Sequence, residues 1–460
     1  MKYRLIRTLL ACVAAAASAA AHADKVDDYL RAQMALNHVP GAAVAIVRDG
    51  KVVKLQTYGL ANLEWQQKVT PDTRFQLASS TKPFTGMLLA RLAEAGKLKL
   101  DDSIALYLKD APEAWKPVTV RELANHSSGI PDQVKTKDGA TLDDYVAAAA
   151  ALPLTHAPGE SSEYGIGGYN VLSKVIEVAA GMPYTEALVK YVVGPLGLRD
   201  TAFENATGEP NRRSVDVLPR RASVYDWSDG RHVNFSFFFG PMSYDAGGLL
   251  TSAADLAKVA VALDGTRFLR QESKDAMWWQ QPLGKGGVNN FGAGWAVREI
   301  NGHRTVGHSG GPALSDILHF PKERATFIVL TNGQSLYPYL AQGVSELYFP
   351  PPPIVMPTGI ADTRPAVTAE LRAMIADALA GKVDESRFSA GGRKDFVGPM
   401  KTFLLPFFRS LKGFDEFVLV IDEPKESGIH RQYRARHGSK AVTWDFGLDA
   451  EGKINGFGPK

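Results

Sequence analysis

The sequence predicts an α/β (α+β) protein with a central antiparallel sheet flanked by helices, followed by a small C-terminal α+β domain. Two observations lead to this prediction. Strand patterns occur near residue 50 and again between residues 293 and 331, with mostly helical patterns between the two groups. A proline-rich stretch, Pro350–Pro357, then separates a second region. The 460 residues suffice for one large domain and one smaller domain.

The predicted sheet takes its strands from both ends of the larger region. The apolar run 42–47 and the returning run 52–58 enclose Asp49-Gly50, which is a hairpin turn signal. Four more strand patterns come late in the region: 293–299, 303–308, 314–320 and 326–331. We expect the early hairpin and these late strands to share one antiparallel sheet.

Helical patterns occupy the start of the region and the space between the strand groups. Residues 24–38 place Val26, Leu30 and Met34 on one apolar stripe. Further helices are predicted over 83–95, 120–125, 169–180 and 253–263. We expect these helices to lie beside the sheet and to leave a cleft at the boundary, where sites commonly occur.

The last region, residues 366–460, is predicted to be a small separate α+β domain joined through a linker at 350–365. A helical pattern covers 368–380. Short strand patterns follow it at 417–421, 432–436 and 441–446. This helix followed by strands resembles the NTF2-like domains, in which a helix packs on a curved sheet.

The first residues have the features of an export signal. Three basic residues open the chain: Lys2, Arg4 and Arg7. An apolar, alanine-rich stretch follows over 9–21, and Ala21-His22-Ala23 fits the small-x-small cleavage rule. We therefore predict a signal peptide over 1–23, a mature chain that begins at Asp24, and a periplasmic or secreted location. An uncleaved membrane anchor is the alternative, although the apolar run is short for a bilayer span.

The sequence contains one cysteine, Cys12, inside this predicted signal peptide. Leu9-Leu10-Ala11-Cys12 faintly resembles a lipid-attachment motif, so lipidation is a second alternative. A mature chain from Asp24 has no cysteine, which excludes a disulfide, a thiol nucleophile and a thiolate metal site. The formal net charge of +3, with no long basic run, argues against nucleic acid as a partner. We expect no integral membrane segment in the mature chain.

Ser79-Ser80-Thr81-Lys82 places a serine and a lysine three residues apart at a predicted helix start, where both side chains share one face. A serine hydroxyl needs a neighbouring base to become a strong nucleophile. A buried lysine can act as that base, because burial favours the neutral amine. The motif alone could be a helix cap, but here a strongly apolar helix pattern, 84–92, follows it.

Two later segments complete the pattern: Tyr164-Gly165-Ile166-Gly167-Gly168-Tyr169-Asn170 and Val306-Gly307-His308-Ser309-Gly310-Gly311. In this order and at these separations, the three segments resemble the motifs Ser-x-x-Lys, Tyr-x-Asn and Lys/His-x-Gly of serine β-lactamases, D,D-peptidases and related esterases. Residues 118–131 and 246–253 also match the class C-like branch. The resemblance covers roughly residues 25–348 and implies a β-lactamase-like hydrolase domain over 24–349.

Carried over by position, the resemblance implies that Ser79 attacks a carbonyl carbon. Lys82 and Tyr164 would share the general-base work, and Tyr164 would protonate the leaving group. The backbone N–H groups of Ser79 and Gly311 would form the oxyanion hole. The family's mechanism needs no metal and no organic cofactor.

The third motif and one position of the second depart from the family pattern. His308 would face the cleft where many relatives have lysine, and a histidine is mostly neutral at pH 7. Gly310 and Gly311 would let the strand edge approach the substrate. Ile166 stands where the family usually has an asparagine that binds the lysine and the substrate amide. Both departures argue against an efficient β-lactamase and favour an esterase or an uncharted amide hydrolase.

Several residues keep a second interpretation. Tyr169 competes with Tyr164 as the base, Tyr164 could be a packed aromatic residue, and His308 could be a strand histidine without a catalytic part. His126 is expected to shape a loop. Two aromatic groups could line an apolar substrate pocket or pack in the core: Trp278-Trp279 and Phe235–Phe239.

The resemblance implies a secreted serine hydrolase that acts through an acyl-enzyme on an ester, amide or β-lactam bond. Its substrate would be a small molecule or a cell-wall-derived compound. An esterase of the same mechanism with little β-lactamase activity is the first alternative. A catalytically silent binder of cell-wall peptides is the second, and the intact Ser79, Lys82 and Tyr164 argue against it.

Overall fold

The early hairpin and the late strands pair into one antiparallel sheet in the computed structural model. The strands are β1 (Gly41–Arg48), β2 (Lys51–Asn62), β3 (Ala296–Ile300), β4 (His303–Gly310), β5 (Ala313–Phe320) and β6 (Ala325–Gln334). Their order in the sheet is β3-β4-β5-β6-β1-β2. Strand β1 lies against β6, with Val44 opposite Val329. The predicted fold class is therefore confirmed.

The structure describes residues 25–459 apart from 138, 205, 208–213, 312, 335–338, 398–406, 409–410, 412, 426–427 and 439. The predicted signal peptide, with Cys12 and the Ala23 cleavage site, lies outside the described residues. Contacts divide the chain after Phe349 into two units. Among the described helices, none has the length and apolar character that a membrane crossing needs.

Helices cover both faces of the sheet in the first unit. They are α1 (25–36), α2 (Lys82–Glu94), α3 (Val120–Ala124), α4 (Leu142–Ala150), α5 (Gly167–Ala180), α6 (Tyr184–Leu188), α7 (Tyr244–Gly247), α8 (Ala253–Asp264), α9 (Gln271–Met277) and α10 (Leu340–Glu346). Ala43 and Val47 of β1 belong to the larger core with α2, α5 and α8, whereas Val44 and Ile46 face α1 and α10. This two-sided burial explains why β1 is a continuous apolar run without alternation.

Short strands interrupt the region that the sequence predicts as mostly helical. Phe75–Gln76, Leu249–Thr251 and Ala202–Phe203 form a small sheet. Val224–Ser228 and Arg231–Phe235 form a hairpin, and Ala206–Thr207 pairs with Ser214–Val215. Gln67–Lys68 extends the edge of β2. The first of these sheets matters for the site, because it pairs Leu249–Thr251, which follows α7, with Phe75–Gln76, which precedes Ser79.

The second unit contains α11 (Pro365–Leu379) and a four-stranded antiparallel sheet. The strands are β7 (Glu416–Lys425), β8 (Gly428–His437), β9 (Lys440–Leu448) and β10 (Ile454–Pro459). Leu371 and Ile375 of the helix share a core with Tyr433 and Trp444 of the sheet. A helix packed on an antiparallel sheet is the arrangement predicted for this region, and the NTF2-like resemblance stays a prediction.

Candidate active site

Ser79 lies in a tight turn, Ala78–Thr81, that leads directly into α2. Ala78 adopts a φ of 46°, a left-handed conformation that is strained for a residue with a Cβ. Ser79 is partly exposed, whereas Ser80 is fully buried. The Ser80 hydroxyl donates to the backbone oxygen of His308 at 3.1 Å and lies 2.8 Å from Ser315 Oγ. The turn therefore presents Ser79 to the cleft and commits Ser80 to internal hydrogen bonds.

Lys82 is buried one turn after Ser79, with a side chain that is 1% exposed. Its Nζ lies 3.4 Å from Ser79 Oγ and donates to the backbone oxygen of Ala246 at 3.0 Å. The rings of Tyr164 and Tyr169 flank the same nitrogen, with centroids 4.9 Å and 5.0 Å away. The Ala246 oxygen thus holds Nζ within reach of the Ser79 hydroxyl.

The two tyrosines beside Lys82 differ in their surroundings. Tyr169 is fully buried, and its hydroxyl donates to the backbone oxygen of Ala124 at 2.8 Å. Burial raises the pKa of Tyr169 well above its usual value, with nearby Tyr164 as a second cause. Tyr164 is 48% exposed at the cleft. The geometry therefore disfavours Tyr169 as the base and leaves Tyr164 as the tyrosine that can reach a substrate.

His308 lies on β4 with its ring 6.0 Å from that of Tyr164. Its Nδ1 lies 2.7 Å from the backbone oxygen of Ser309, so Nδ1 must carry the proton. Nε2 is buried and has no hydrogen-bond partner among the described residues. Burial, with the nearby charge of Lys82, lowers the pKa of His308 to about 3. The ring is therefore neutral at pH 7, and its free nitrogen can only accept.

The end of β4 approaches the nucleophile turn closely. A Cβ on Gly310 would lie 2.0 Å from the backbone oxygen of Leu77, so position 310 has no space for a side chain. Gly310 therefore packs closely against the backbone of Leu77. The sequence analysis expected Gly310 to allow a close approach to the substrate instead. Gly311 follows directly in the chain, and its expected role in the oxyanion hole stays a prediction. Ile166, at the start of α5, is 40% exposed.

The remaining aromatic candidates divide between the site and the core. His126 is buried with its ring 4.5 Å from that of Tyr164, and burial lowers its pKa well below the usual value. Trp278 is buried against Trp295, with ring centroids 5.9 Å apart, so it packs in the core. Trp279 and Phe237 are about half exposed. Of the two aromatic groups, Trp279 and Phe237 are the most exposed members, and Phe235, Phe238 and Phe239 are partly buried.

The sequence analysis missed a buried acid behind Lys82. Asp245 is fully buried in α7, and neither carboxylate oxygen has a hydrogen-bond partner among the described residues. Burial raises the pKa of Asp245 well above its usual range, and the charge of Lys82 opposes that shift. The signal in the sequence is a lone acidic residue before the apolar segment 246–250. Within the described residues, no group of three or more histidine, cysteine or acidic side chains could hold a metal ion.

Comparison with known proteins places these motifs in a family context. A family model described as Beta-lactamase matches residues 26–343. Esterase EstB of Burkholderia gladioli is 31% identical over 316 residues, which cover 61% of this chain and 79% of the esterase. Protein flp of Staphylococcus aureus (strain MW2) is 27% identical over 329 residues and 68% of this chain. The match spans 64% of the length of that protein.

Two solved structures share the fold at low sequence identity. One is described as EstCE1, a hydrolase with promiscuous acyltransferase activity. It has a TM-score of 0.60 and 20% identity, and the match covers 71% of this chain and 99% of that one. The other is described as the crystal structure of SurE, with a TM-score of 0.61 and 21% identity. This match covers 95% of this chain and 96% of that one. The second match extends over both units of the chain.

Proposed function

The chain belongs to the beta-lactamase family, and from this membership we propose that it is a serine hydrolase that forms an acyl-enzyme at Ser79 and prefers small esters. The observation that carries the proposal is the placement of Ser79 Oγ 3.4 Å from the buried Nζ of Lys82. A nucleophile and a base must lie within or near hydrogen-bond reach, and such distances are often long before substrate binds.

The proposed reaction follows from this placement. Ser79 Oγ attacks the ester carbonyl carbon and gives its proton to Lys82 Nζ. The backbone N–H groups of Ser79 and Gly311 stabilise the oxyanion. Each such donor contributes about 3 kcal/mol in comparable sites. Tyr164 protonates the departing alcohol. Water then attacks the acyl-enzyme carbonyl carbon and gives a proton to the Tyr164 oxygen. Lys82 returns its proton to Ser79 Oγ as the bond to the acyl group breaks, and the acid is released.

Two site features support esters as the substrate class. His308 has a fixed neutral tautomer whose free nitrogen can only accept, so it cannot donate a hydrogen bond to a substrate carboxylate. Penicillins and peptides with a free C-terminus carry such a carboxylate. Ile166 offers no polar side-chain atom to an amide N–H or carbonyl. An ester needs less help, because its alkoxide or phenolate leaves more easily than an amine. The similarity to an esterase agrees with this preference.

The test compares three substrates: p-nitrophenyl butyrate, nitrocefin and a D-alanyl-D-alanine peptide. We expect kcat/KM to be far larger for the ester than for the other two. A fluorophosphonate probe should add mass at Ser79, located by fragment spectra because Ser80 is adjacent. Ser79→Ala should abolish both labelling and hydrolysis. Labelling at Ser80 or Ser309, or faster turnover of nitrocefin than of the ester, would overturn the proposal.

We also propose that the protein is exported and cleaved after Ala23, to a periplasmic or secreted location. The basic residues 2–7, the apolar run 9–21 and the Ala21-His22-Ala23 site support this proposal. N-terminal sequencing of protein from the periplasm or the medium should begin at Asp24. A retained Met1 or a lipid-modified Cys12 would contradict it.

A further inference from the structure

The turn that carries Tyr164 is held almost entirely through its backbone. Four backbone N–H groups of this turn donate hydrogen bonds to two residues of another segment, His126 and Asp132. Glu163 donates to the backbone oxygen of His126 at 2.9 Å, Gly165 to His126 Nδ1 at 3.4 Å, and Ile166 and Gly167 to Asp132 Oδ1 at 2.5 Å and 2.7 Å. The segment 126–132 therefore forms a clamp around the turn, and we keep that name for it below.

Asp132 replaces a missing helix cap. Ile166 is the N-cap residue of the 14-residue helix α5, and no side chain caps the helix from that position. Isoleucine is among the poorest N-cap residues because it has no acceptor. The Asp132 carboxylate accepts the first N–H groups from outside the helix, where negative charge also interacts favourably with the helix dipole. The clamp thus supplies the hydrogen-bond acceptor that the side chain of Ile166 lacks.

The glycines of the turn allow this close contact. A Cβ on Gly167 would lie 2.3 Å from the backbone oxygen of Pro131, and one on Gly165 would lie 2.7 Å from Asp132 Oδ1. The cavity that remains between the turn and the clamp has a volume of about 80 Å³ and includes His126 and Tyr164 in its lining. That space is large enough for ordered water molecules. The glycines therefore let the turn and the clamp pack closely.

We propose that Asp132 is a positioning residue that sets the place of the Tyr164 hydroxyl through the backbone of residues 165–167. The inference rests on the proposed function, in which Tyr164 transfers a proton to the leaving group. Tyr164 is half exposed, and its ring packs against His126 and Phe291, with ring centroids 4.5 Å and 5.6 Å away. The backbone sets where the ring is attached, and Asp132 accepts two hydrogen bonds from that backbone.

The test is a double-mutant cycle on the full chain, read as kcat/KM for p-nitrophenyl butyrate. Asp132→Ala should lower kcat/KM on the order of 10²-fold, the cost of about 1 Å of misplacement. The loss should fall mainly on kcat. Asp132→Asn should recover most of the activity, because its amide oxygen accepts the same two N–H groups. Asp144→Ala is the matched control, since it removes an exposed capping acid at the start of α4, outside the clamp and the site, and it should keep wild-type kcat/KM.

The decisive variant is Asp132→Ala in a Tyr164→Phe background. If Asp132 acts through Tyr164, the double mutant should be no worse than Tyr164→Phe alone, because residues that act as one unit are non-additive. Losses that multiply would overturn the proposal, as would an Asp132→Asn variant as weak as Asp132→Ala. If Asp132→Ala does not fold, Asp132→Glu shifts the carboxylate by one methylene and should show a smaller loss that also disappears in the Tyr164→Phe background.

The same experiments separate this proposal from the proposed function. Hydrolysis that survives Ser79→Ala would refute the serine mechanism itself. Full activity of Tyr164→Phe in a protein that needs Ser79 would refute the role of Tyr164, and the role of Asp132 with it. Loss of activity in Asp132→Ala with an unchanged Ser79 requirement, a Tyr164-dependent effect and rescue by asparagine would support the clamp.

Discussion

His126 and His308, the two histidines nearest Lys82, are both buried, and burial together with the charge of Lys82 lowers the pKa of each ring. Both rings are therefore neutral at pH 7. Their neutral forms also explain the hydrogen bonds, because His126 Nδ1 accepts from Gly165 and His308 Nδ1 donates to Ser309. At the scale of single residues, neither histidine supplies a positive charge to the site at pH 7.

Ile166→Asn should raise β-lactam turnover relative to ester turnover. The amide side chain would restore one polar contact to the substrate amide, and such a contact is worth about 0.5–1.5 kcal/mol net. The ratio of kcat/KM for nitrocefin to that for p-nitrophenyl butyrate should therefore rise by about two- to twelvefold. An unchanged ratio would mean that residue 166 does not face the acyl group.

The difference in stability between Asp245→Asn and wild type should shift in favour of the variant as the pH rises. Burial raises the pKa of Asp245 in the folded protein, so the folded state holds its proton more tightly than the unfolded chain. The stability that this group contributes is fully present below about pH 4, the pKa of an aspartate in the unfolded chain. It is lost as the pH rises through the higher pKa of Asp245 in the folded protein. An asparagine cannot titrate and escapes this loss. Melting temperatures of both proteins from pH 4.5 to pH 8 provide the measurement, and a constant difference would contradict the prediction.

At the scale of elements, the nucleophile turn and β4 are joined by buried contacts. Ser315 Oγ on β5 lies 2.7 Å from the backbone oxygen of Leu77 and 2.8 Å from Ser80 Oγ. Gly310 packs against the same oxygen of Leu77. These contacts hold the turn of Ser79 against the end of β4, and under the proposed mechanism they would keep the two oxyanion donors at a defined separation.

Gly310→Ala should disrupt this junction. Its Cβ would meet the backbone oxygen of Leu77 at 2.0 Å, so the turn and β4 must move apart. Overpacking of this kind typically costs about 1–3 kcal/mol of unfolding free energy. We expect a lower melting temperature and slow fluorophosphonate labelling of Ser79. Gly240→Ala is the control, because a Cβ there meets nothing within 4 Å, and it should label at the wild-type rate.

At the scale of the whole molecule, each unit has a core of its own. The residues buried in the second unit, such as Leu371 and Trp444, form one cluster, and the clusters of the first unit contain only residues before Pro350. All the site residues described above also precede Pro350. The division after Phe349 therefore separates the proposed chemistry from the last 111 residues.

A chain that ends near Pro353 should fold and keep its activity on p-nitrophenyl butyrate. The first unit retains its sheet, both of its core clusters and its site in such a protein. Circular dichroism and thermal melting establish folding, and kcat/KM then tests activity. A truncated protein that folds but loses ester hydrolysis would show that the second unit completes the site.

Local sequence patterns were enough to predict the main sheet strands, the helices α2, α3, α5 and α8, and the three motif segments of the site. The apolar run of β1 and the Ser79-to-Lys82 spacing are properties of neighbouring residues, so periodicity and spacing reveal them. The motif positions favoured Ser79 over Ser80 and Tyr164 over Tyr169, and the tertiary structure added the physical difference, because Ser80 and Tyr169 are buried with internal hydrogen bonds. It also revealed Asp245 and the Asp132 contact with the Tyr164 turn. These distinctions depend on burial and on hydrogen bonds between distant segments, such as Ser80 with Ser315, 235 residues apart. The pattern of adjacent residues does not encode such contacts, because they arise only when the chain folds.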